Sequence, residues 1–265
     1  MNETLQIELA ALAHKLADAA RNETLRYFRG GGLQTSSKLT DGFDPVTVAD
    51  RAAEQAMRQL IEAERPDDGI LGEELGNKAS TSGLTWVLDP IDGTRGYISG
   101  TPTWGTLIGL HDGKRVVLGL VDQPYIGERF IGGLGQAQFS GPHGTGILQT
   151  SAVNELQQAT IFTTFPEVGT ASDAKAFQDL SGQCQLARYG MDCYAYALLA
   201  IGQIDLVVEA GLATYDIQGP LGVVEAAGGV VTNWQGGPAD QGGQVIAAAN
   251  SELHAKALKV LTNYV

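Results

Sequence analysis

Cysteine is scarce in this sequence of 265 residues, which has two cysteines and four histidines. Cys184 and Cys193 do not form a Cys-x-x-Cys pair, so one disulfide bridge is possible, but two thiols in a reducing cytoplasm fit better. No Cys/His cluster with the ligand spacing of a zinc site occurs along the chain. We therefore expect a cytoplasmic protein whose chemistry does not depend on zinc.

Long apolar runs are also missing, and charges recur every few positions in the first thirty residues. This pattern predicts neither a membrane span nor a signal peptide. Positive charge is scarce, because 17 Lys and Arg stand against 30 Asp and Glu and give a net charge of −13. Such a chain is not expected to bind nucleic acid or an anionic membrane surface. It would also repel a phosphorylated substrate unless bound cations reversed the local field, which favours a metal site.

The hydrophobic content of 43% is typical of a globular protein, and the chain can bury a large core. In residues 1–150, apolar stripes predict helices over residues 5–20 and 48–61, followed by an antiparallel sheet with a hairpin turn at residues 111–114. Residues 151–265 alternate predicted strands and helices, which indicates an α/β half. No linker separates the halves, so we expect one compact unit. Residues 30–40 have the composition of a mobile loop and are a candidate lid.

The most informative stretch is Trp-Val-Leu-Asp-Pro-Ile-Asp-Gly-Thr at residues 86–94. It predicts a buried strand that ends in two carboxylates, Asp89 and Asp92, which resist burial unless a cation lies between them. The backbone amides of Gly93, Thr94 and Arg95 would then begin a helix, which is a favourable site for an anion. The alternative is a plain strand exit, because Asp-Pro and Asp-Gly are common turn dipeptides.

Three further acids lie at the ends of predicted elements. Asp50 and Thr47 have the spacing of a capping box, Glu73 could belong to a solvated surface, and Asp216 could simply cap a helix. Together with Asp89 and Asp92 they make five carboxylates, and oxygen ligands of this kind suit Mg²⁺. Two such ions could activate a water and stabilise the leaving oxygen of an in-line displacement.

At the level of whole motifs the chain resembles the inositol monophosphatase superfamily. The resemblance rests on Gly-Glu-Glu at residues 72–74, Asp-Pro-Ile-Asp-Gly-Thr at 89–94, and Asp216 followed by Glu-Ala-Ala-Gly-Gly at 225–229. Within the superfamily, residues 43–50, 105–108, 121–124 and 189–196 are most similar to histidinol-phosphate phosphatases. Asp192 stands where inositol phosphatases usually have a small residue, and a carboxylate there suits a cationic amine or imidazolium better than a neutral polyol.

The resemblance implies an αβαβα layered sandwich, usually a homodimer, with two or three Mg²⁺ ions per site. The implied metal ligands are Glu73, Asp89, the carbonyl of Ile91, Asp92 and Asp216. The implied catalytic residues are Thr94 and Glu73, which would position and deprotonate the attacking water, and Asp50, which would help to orient water or a third ion. The implied phosphate-binding residues are Gly93 and Thr94, and the implied substrate-binding residues are Asp192, Glu209 and Arg95.

The expected activity is therefore hydrolysis of a small phosphate monoester, L-histidinol phosphate, in histidine biosynthesis. The alternatives are the same chemistry on inositol 1-phosphate or a nucleotide 3′-phosphate, and a non-catalytic protein that binds metal or anions. Arg-Gly-Tyr at residues 95–97 and Tyr215 depart from the commoner pattern of the superfamily. Neither departure removes a metal ligand, but both bear on the choice of substrate.

Overall fold

Helices and strands alternate along most of the computed structural model, which describes residues 1–30, 35–37 and 45–264. The α-helices are α1 (Glu3–Tyr27), α2 (Val48–Glu64), α3 (Thr94–Ser99), α4 (Ala171–Ser181), α5 (Tyr194–Ala200), α6 (Thr214–Ala226) and α7 (Ser251–Leu261). The strands are β1 (Thr35–Ser37), β2 (Pro45–Thr47), β3 (Gly69–Gly72), β4 (Thr85–Asp92), β5 (Gly105–His111), β6 (Val116–Gln123), β7 (Glu128–Gly133), β8 (Gln136–Gly141), β9 (Gly144–Ile147), β10 (Thr160–Thr163), β11 (Leu186–Tyr189), β12 (Leu206–Leu212), β13 (Val230–Asn233) and β14 (Gly243–Ala248).

Two large sheets organise the chain. The first has seven strands in the order β3-β4-β5-β6-β7-β8-β9, and the second has five in the order β11-β10-β12-β14-β13. β1 and β2 form a separate antiparallel ribbon. The first sheet is antiparallel as predicted except at its edge, where β3 pairs with β4 in parallel. The two strands can run parallel because the irregular connection between them, residues 73–84, is long. It carries the chain back past β3, so that β4 begins at the same end of the sheet as β3.

Helices cover both sheets and separate them. Apolar residues of α1 and α2 pack on one face of the seven-stranded sheet, and α5 and α6 fill the space between the two sheets. The helices α4 and α7 pack on the outer face of the five-stranded sheet. The order of layers is therefore αβαβα, which confirms the expected sandwich. Among the described residues, no helix combines the length and the apolar composition needed to cross a membrane.

Most predicted elements are present, with shifted ends. Helix α1 extends beyond the predicted residues 5–20 to Tyr27, where it ends because Phe28 leaves the helical conformation and packs against Tyr97 and Trp104. Helix α6 begins at Thr214, so Asp216 lies in its first turn, near the predicted capping position. Both cysteines are free thiols, as expected. The mobile loop predicted at residues 30–40 lies mostly outside the described residues.

Glycines allow α6 to lie directly on the first sheet. A Cβ at Gly119 of β6 would lie 2.1 Å from the carbonyl oxygen of Gly219, and one at Gly132 of β7 would lie 2.3 Å from that of Gly222. A Cβ at Gly222 would in turn lie 2.4 Å from the backbone nitrogen of Gly119. Because these neighbours are backbone atoms, they cannot rotate away. This close packing fixes the start of α6 relative to the sheet.

We expect Gly119→Ala to destabilise the protein by about 3 kcal/mol, the upper part of the range for overpacking a core. The measurement is urea unfolding of the variant and the wild type. Gly76→Ala is the matched control, since a Cβ at Gly76 meets nothing within 4 Å, and its free energy of unfolding should stay within about 0.5 kcal/mol of the wild type. Equal stability of Gly119→Ala and the wild type would contradict the packing described here.

Candidate metal centre and active site

An irregularity at the end of β4 brings its two aspartates together. Side chains three positions apart on a regular strand point to opposite faces of the sheet. Here Asp89 pairs with Leu107 but Asp92 pairs with Gly105, so one extra residue lies on β4 between them. Such a bulge bends the strand and re-aims its side chains. Pro90 lies in this bulge, where its missing N–H leaves no donor unpaired.

Hydrogen bonds stabilise the bulge. Asp89 Oδ1 accepts the backbone N–H of Ile91 at 3.0 Å, and the Thr106 hydroxyl donates to the carbonyl of Pro90 at 2.8 Å. Asp92 Oδ2 accepts the backbone N–H of Cys193 at 2.7 Å. Both aspartates therefore have fixed orientations before any ligand binds.

Asp216 completes the group from the neighbouring helix. It is the third residue of α6, and its Oδ2 accepts the backbone N–H of Ala213 at 2.7 Å. One carboxylate oxygen from each of Asp89, Asp92 and Asp216 lies within 4.8 Å of the others. The predicted capping role of Asp216 and its predicted role as a metal ligand are thus compatible, because the carboxylate that caps the helix also places an oxygen within the acidic cluster.

Burial and mutual repulsion act strongly on this group. Burial raises the pKa of Asp89 well above its usual value, and the charges of Glu73, Asp92 and Asp216 raise it further. Burial also raises the pKa of Asp92, with added repulsion from Asp192 and Asp216 that its bond from Cys193 only partly offsets. A divalent cation between these oxygens would remove both penalties. The donor set consists of carboxylates alone, which fits a hard cation such as Mg²⁺.

One cavity of about 340 Å³ collects most of the predicted site residues. Its lining includes Glu73, Asp89, Ile91, Asp92, Gly93, Thr94, Arg95, Asp192 and Asp216. The carboxyl groups of Glu73 and Asp89 are hydrogen-bonded to each other. The Thr94 hydroxyl donates to the carbonyl of Ile91 at 3.1 Å, which brings the predicted catalytic threonine next to a predicted metal ligand.

Gly93 connects β4 to α3 in a conformation that favours glycine. Its φ is +81°, and a Cβ there would lie 2.8 Å from Cγ of Asp192. Asp192 itself has a φ of +47°, a left-handed conformation that aspartate and asparagine adopt more readily than most residues. The turn that presents the amides of Gly93 and Thr94 is therefore packed directly against Asp192.

Asp50, a predicted site residue, lies outside the lining of this cavity. Its Oδ2 accepts the backbone N–H and the hydroxyl of Thr47, at 2.9 and 2.5 Å, which confirms the capping box at the start of α2. Its buried Oδ1 has no hydrogen-bond partner among the described residues. Burial raises the pKa of Asp50 to about 7, helped by the charges of Glu74 and Glu73. Its catalytic role stays a prediction.

A second pocket of about 210 Å³ adjoins the cavity and shares Asp92, Asp192 and Asp216 with it. Glu209 of β12 lines this pocket and is almost fully buried. It accepts hydrogen bonds from the Thr163 hydroxyl at 3.1 Å and from the backbone N–H and hydroxyl of Thr164 at 2.7 and 2.9 Å. Burial nevertheless raises the pKa of Glu209 to about 7.

The same pocket contains Asp192 and two aromatic residues that the sequence did not single out. Burial raises the pKa of Asp192 to about 6, although the hydroxyl of Thr103 and the charge of Arg95 lower it. The guanidinium of Arg95 lies 5.0 Å from the ring centre of Phe165. The hydroxyl of Tyr196 is buried without a partner among the described residues. Tyr196 lies in the stretch 189–196 that supported the resemblance, whereas no motif marks Phe165.

A cluster of carboxylates beside a glycine turn, in an αβαβα sandwich, is thus a candidate metal centre next to a candidate anion site. The sequence model of the Inositol monophosphatase family matches residues 5–265, and the chain belongs to that family. It is therefore a phosphoric monoester hydrolase.

Individual relatives include phosphatases with different names. The bifunctional phosphatase IMPL2, chloroplastic, of Arabidopsis thaliana is 37% identical over 273 residues, covering 98% of this chain and 77% of that protein. The histidinol-phosphatase of Streptomyces coelicolor is 35% identical over 257 residues, covering 94% of this chain and 95% of that protein. A solved inositol monophosphatase from Zymomonas mobilis has a TM-score of 0.83 and 39% identity, covering 95% of this chain and 96% of that chain.

The raised pKa of Glu209 predicts a pH-dependent stability. The folded protein holds this proton more tightly than the unfolded chain, so the contribution of Glu209 is fully present below its ordinary pKa of 4.5 and is lost as the pH rises through about 7. At about 1.4 kcal/mol per pH unit the loss is of order 3 kcal/mol. In a chelator, Glu209→Gln should therefore gain stability relative to the wild type between pH 4.5 and pH 8.

Urea unfolding at several pH values measures this difference. Glu62→Gln, at an exposed position of α2, serves as the control and should show no such trend. A stability difference between Glu209→Gln and the wild type that does not change with pH would refute the assigned environment of Glu209.

Proposed function

We propose that this chain is a Mg²⁺-dependent phosphomonoesterase that hydrolyses L-histidinol phosphate to L-histidinol and phosphate, in histidine biosynthesis. The observation that carries the choice of substrate is a pair of carboxylates beside the acidic cluster, the half-buried Asp192 and the buried Glu209. The relatives named histidinol-phosphatase support the same choice. A cytoplasmic homodimer remains part of the prediction.

In this proposal Asp89, Asp92 and Asp216 hold Mg²⁺, together with Glu73 and the carbonyl of Ile91. Two or three ions are expected in each site. When bound, Mg²⁺ supplies charge neutralisation at the phosphoryl oxygens and the leaving oxygen. The contribution of the protein is to fix the carboxylates in advance, through the bulge in β4 and the cap of α6. Asp50, whose Oδ1 has no described partner, would help to orient water or a third ion.

Thr94 and Glu73 would position the attacking water. The Thr94 hydroxyl donates a hydrogen bond to the carbonyl of Ile91. The hydroxyl oxygen can therefore accept a hydrogen bond from the attacking water. The carboxylate of Glu73, in the same cavity, would accept the proton that the water loses. The backbone amides of Gly93 and Thr94 would hold the phosphate. These groups orient the reactants rather than form a covalent intermediate with the phosphoryl group.

The second pocket would receive the part of the substrate that carries no phosphate. Histidinol has an ammonium group and an imidazole, which are donors for the carboxylates of Asp192 and Glu209. A bound cation would also relieve the cost of burying these two carboxylates. Arg95, stacked on Phe165 at the rim of the cavity, would complete the contacts with the substrate.

Inositol 1-phosphate is the second candidate substrate. The solved inositol monophosphatase of Zymomonas mobilis, which shares 39% of its sequence with this chain, favours it. The metal chemistry would be the same, and the hydroxyls of inositol could donate to Glu209. The two candidates differ in what Asp192 contributes, because a neutral polyol gains no charge-assisted bond from an additional carboxylate.

Phosphate release from L-histidinol phosphate and inositol 1-phosphate, measured in parallel with Mg²⁺ and with chelator, tests the proposal. We expect the wild type to prefer histidinol phosphate. Asp192→Asn keeps a residue that tolerates the left-handed backbone, and should lower kcat/KM for histidinol phosphate roughly tenfold to a hundredfold, the value of a charge-assisted hydrogen bond. Turnover of inositol 1-phosphate should change little.

Asp67→Asn is the control. Asp67 is exposed and precedes β3, whereas the site residue Glu73 follows the other end of that strand. A preference of the wild type for inositol 1-phosphate would overturn the proposed substrate and keep the chemistry. Release that persists in chelator would overturn the chemistry itself.

A further inference from the structure

Three charged residues form a buried stripe along one face of α2. Asp50, Glu54 and Arg58 follow one another at intervals of four residues, which places them on the same side of a helix. Their exposed fractions are 1%, 0% and 8%. Buried charges of this kind are costly unless they are paired and hydrogen-bonded. Asp50 caps the helix, so the partners of Glu54 and Arg58 remain to be explained.

Those partners belong to the segment that follows β3. Glu54 Oε2 accepts the backbone N–H of Glu74 at 2.7 Å, and Glu54 Oε1 accepts that of Leu75 at 3.2 Å. Arg58 Nε donates to Glu54 Oε1 at 2.7 Å, and Arg58 Nη2 donates to the carbonyl of Leu75 at 3.1 Å. The carboxylate of Glu54 thus accepts three hydrogen bonds. The backbone N–H of Leu75 donates to Glu54, and its carbonyl accepts from Arg58.

Glu54 also contacts the residue before Glu73. A Cβ at Gly72 would lie 2.0 Å from Glu54 Oε1, so glycine at this position leaves the space that the carboxylate occupies. The backbone N–H of Glu73 donates to the carbonyl of Leu88 at 3.2 Å, next to Asp89 on β4. The backbone amide of Glu73 therefore anchors this residue to β4. Glu54 contacts both of its neighbours in the chain, Gly72 and Glu74.

We propose that Glu54, clamped by Arg58, is a positioning residue that holds the carboxylate of Glu73 at the metal centre. Glu54 does not line the cavity, and its described hydrogen bonds go to Arg58, Glu74 and Leu75. Its effect passes through the backbone of residues 72–75. The inference rests on the proposed function only in that Glu73 binds Mg²⁺, and it is independent of which phosphate ester is the substrate.

Glu54→Gln tests this role because it keeps the shape of the side chain. Whichever way the amide turns, its NH₂ faces a backbone N–H of Glu74 or Leu75, and a donor opposes a donor. We expect the dissociation constant of Mg²⁺, measured by titration calorimetry without substrate, to rise roughly tenfold or more, as for other partners that orient metal ligands. The half-saturating Mg²⁺ concentration for activity should rise in parallel, while kcat at saturating Mg²⁺ recovers.

Asp68→Asn is the matched control for a merely structural effect. Asp68 is equally buried and accepts hydrogen bonds from Arg65, Ser82 and Trp86 at the opposite end of β3. We expect this variant to lose thermal stability and to keep the wild-type affinity for Mg²⁺. The inference is wrong if Glu54→Gln binds Mg²⁺ as the wild type does, or if Asp68→Asn loses affinity to the same extent.

Arg58→Lys decides the question if Glu54→Gln does not fold. It keeps the charge but loses the planar fork that joins Glu54 to Leu75. Weaker Mg²⁺ binding by a folded Arg58→Lys supports the clamp, and wild-type affinity contradicts it. A wild-type protein that binds no Mg²⁺ would contradict the proposed function as well, whereas normal wild-type binding with an unchanged Glu54→Gln contradicts the positioning role alone.

Discussion

Repulsion among carboxylates that are buried or half-buried is the constraint on which this structure depends. Asp89, Asp92 and Asp216 offer oxygens within 4.8 Å of one another, and burial together with the neighbouring charges raises the pKa of Asp89 and Asp92. The chain has a net charge of −13, so few basic side chains are present that could neutralise these carboxylates. A bound cation would balance this arrangement, so the acids that make the site costly would also give it affinity for metal.

The packing of the layers in the sandwich fixes the positions of these acids relative to one another. The bulge in β4 turns Asp89 and Asp92 toward one another, and the glycine contacts between α6 and the first sheet fix the start of the helix that carries Asp216. The irregular segment after β3 brings Glu73 beside Asp89. Each contribution comes from a different element, and the packing between elements, rather than any single turn, sets the geometry of the candidate metal centre.

Sequence reasoning predicted what depends on local patterns. The strand and turn at residues 86–94 and the capping box of Thr47 and Asp50 follow from spacing, and both are present. The bulge could not be predicted, because a one-residue shift in pairing with β5 depends on the partner strand. Glu54 was not identified because its partners are backbone amides about twenty residues away, which leave no trace in the spacing of side chains. Phe165 was missed for a similar reason, since its place beside Arg95 is created by the packing of the two halves of the site.

The most direct test of the central claim is the position of a bound metal. Anomalous diffraction from crystals soaked in Mn²⁺, a substitute for Mg²⁺ with the same preference for oxygen ligands, would show the ions themselves. The account predicts a peak between the carboxylates of Asp89, Asp92 and Asp216, with Glu73 at its edge. Peaks confined to other acids on the surface, or no peak at all at Mn²⁺ concentrations that support activity, would contradict it.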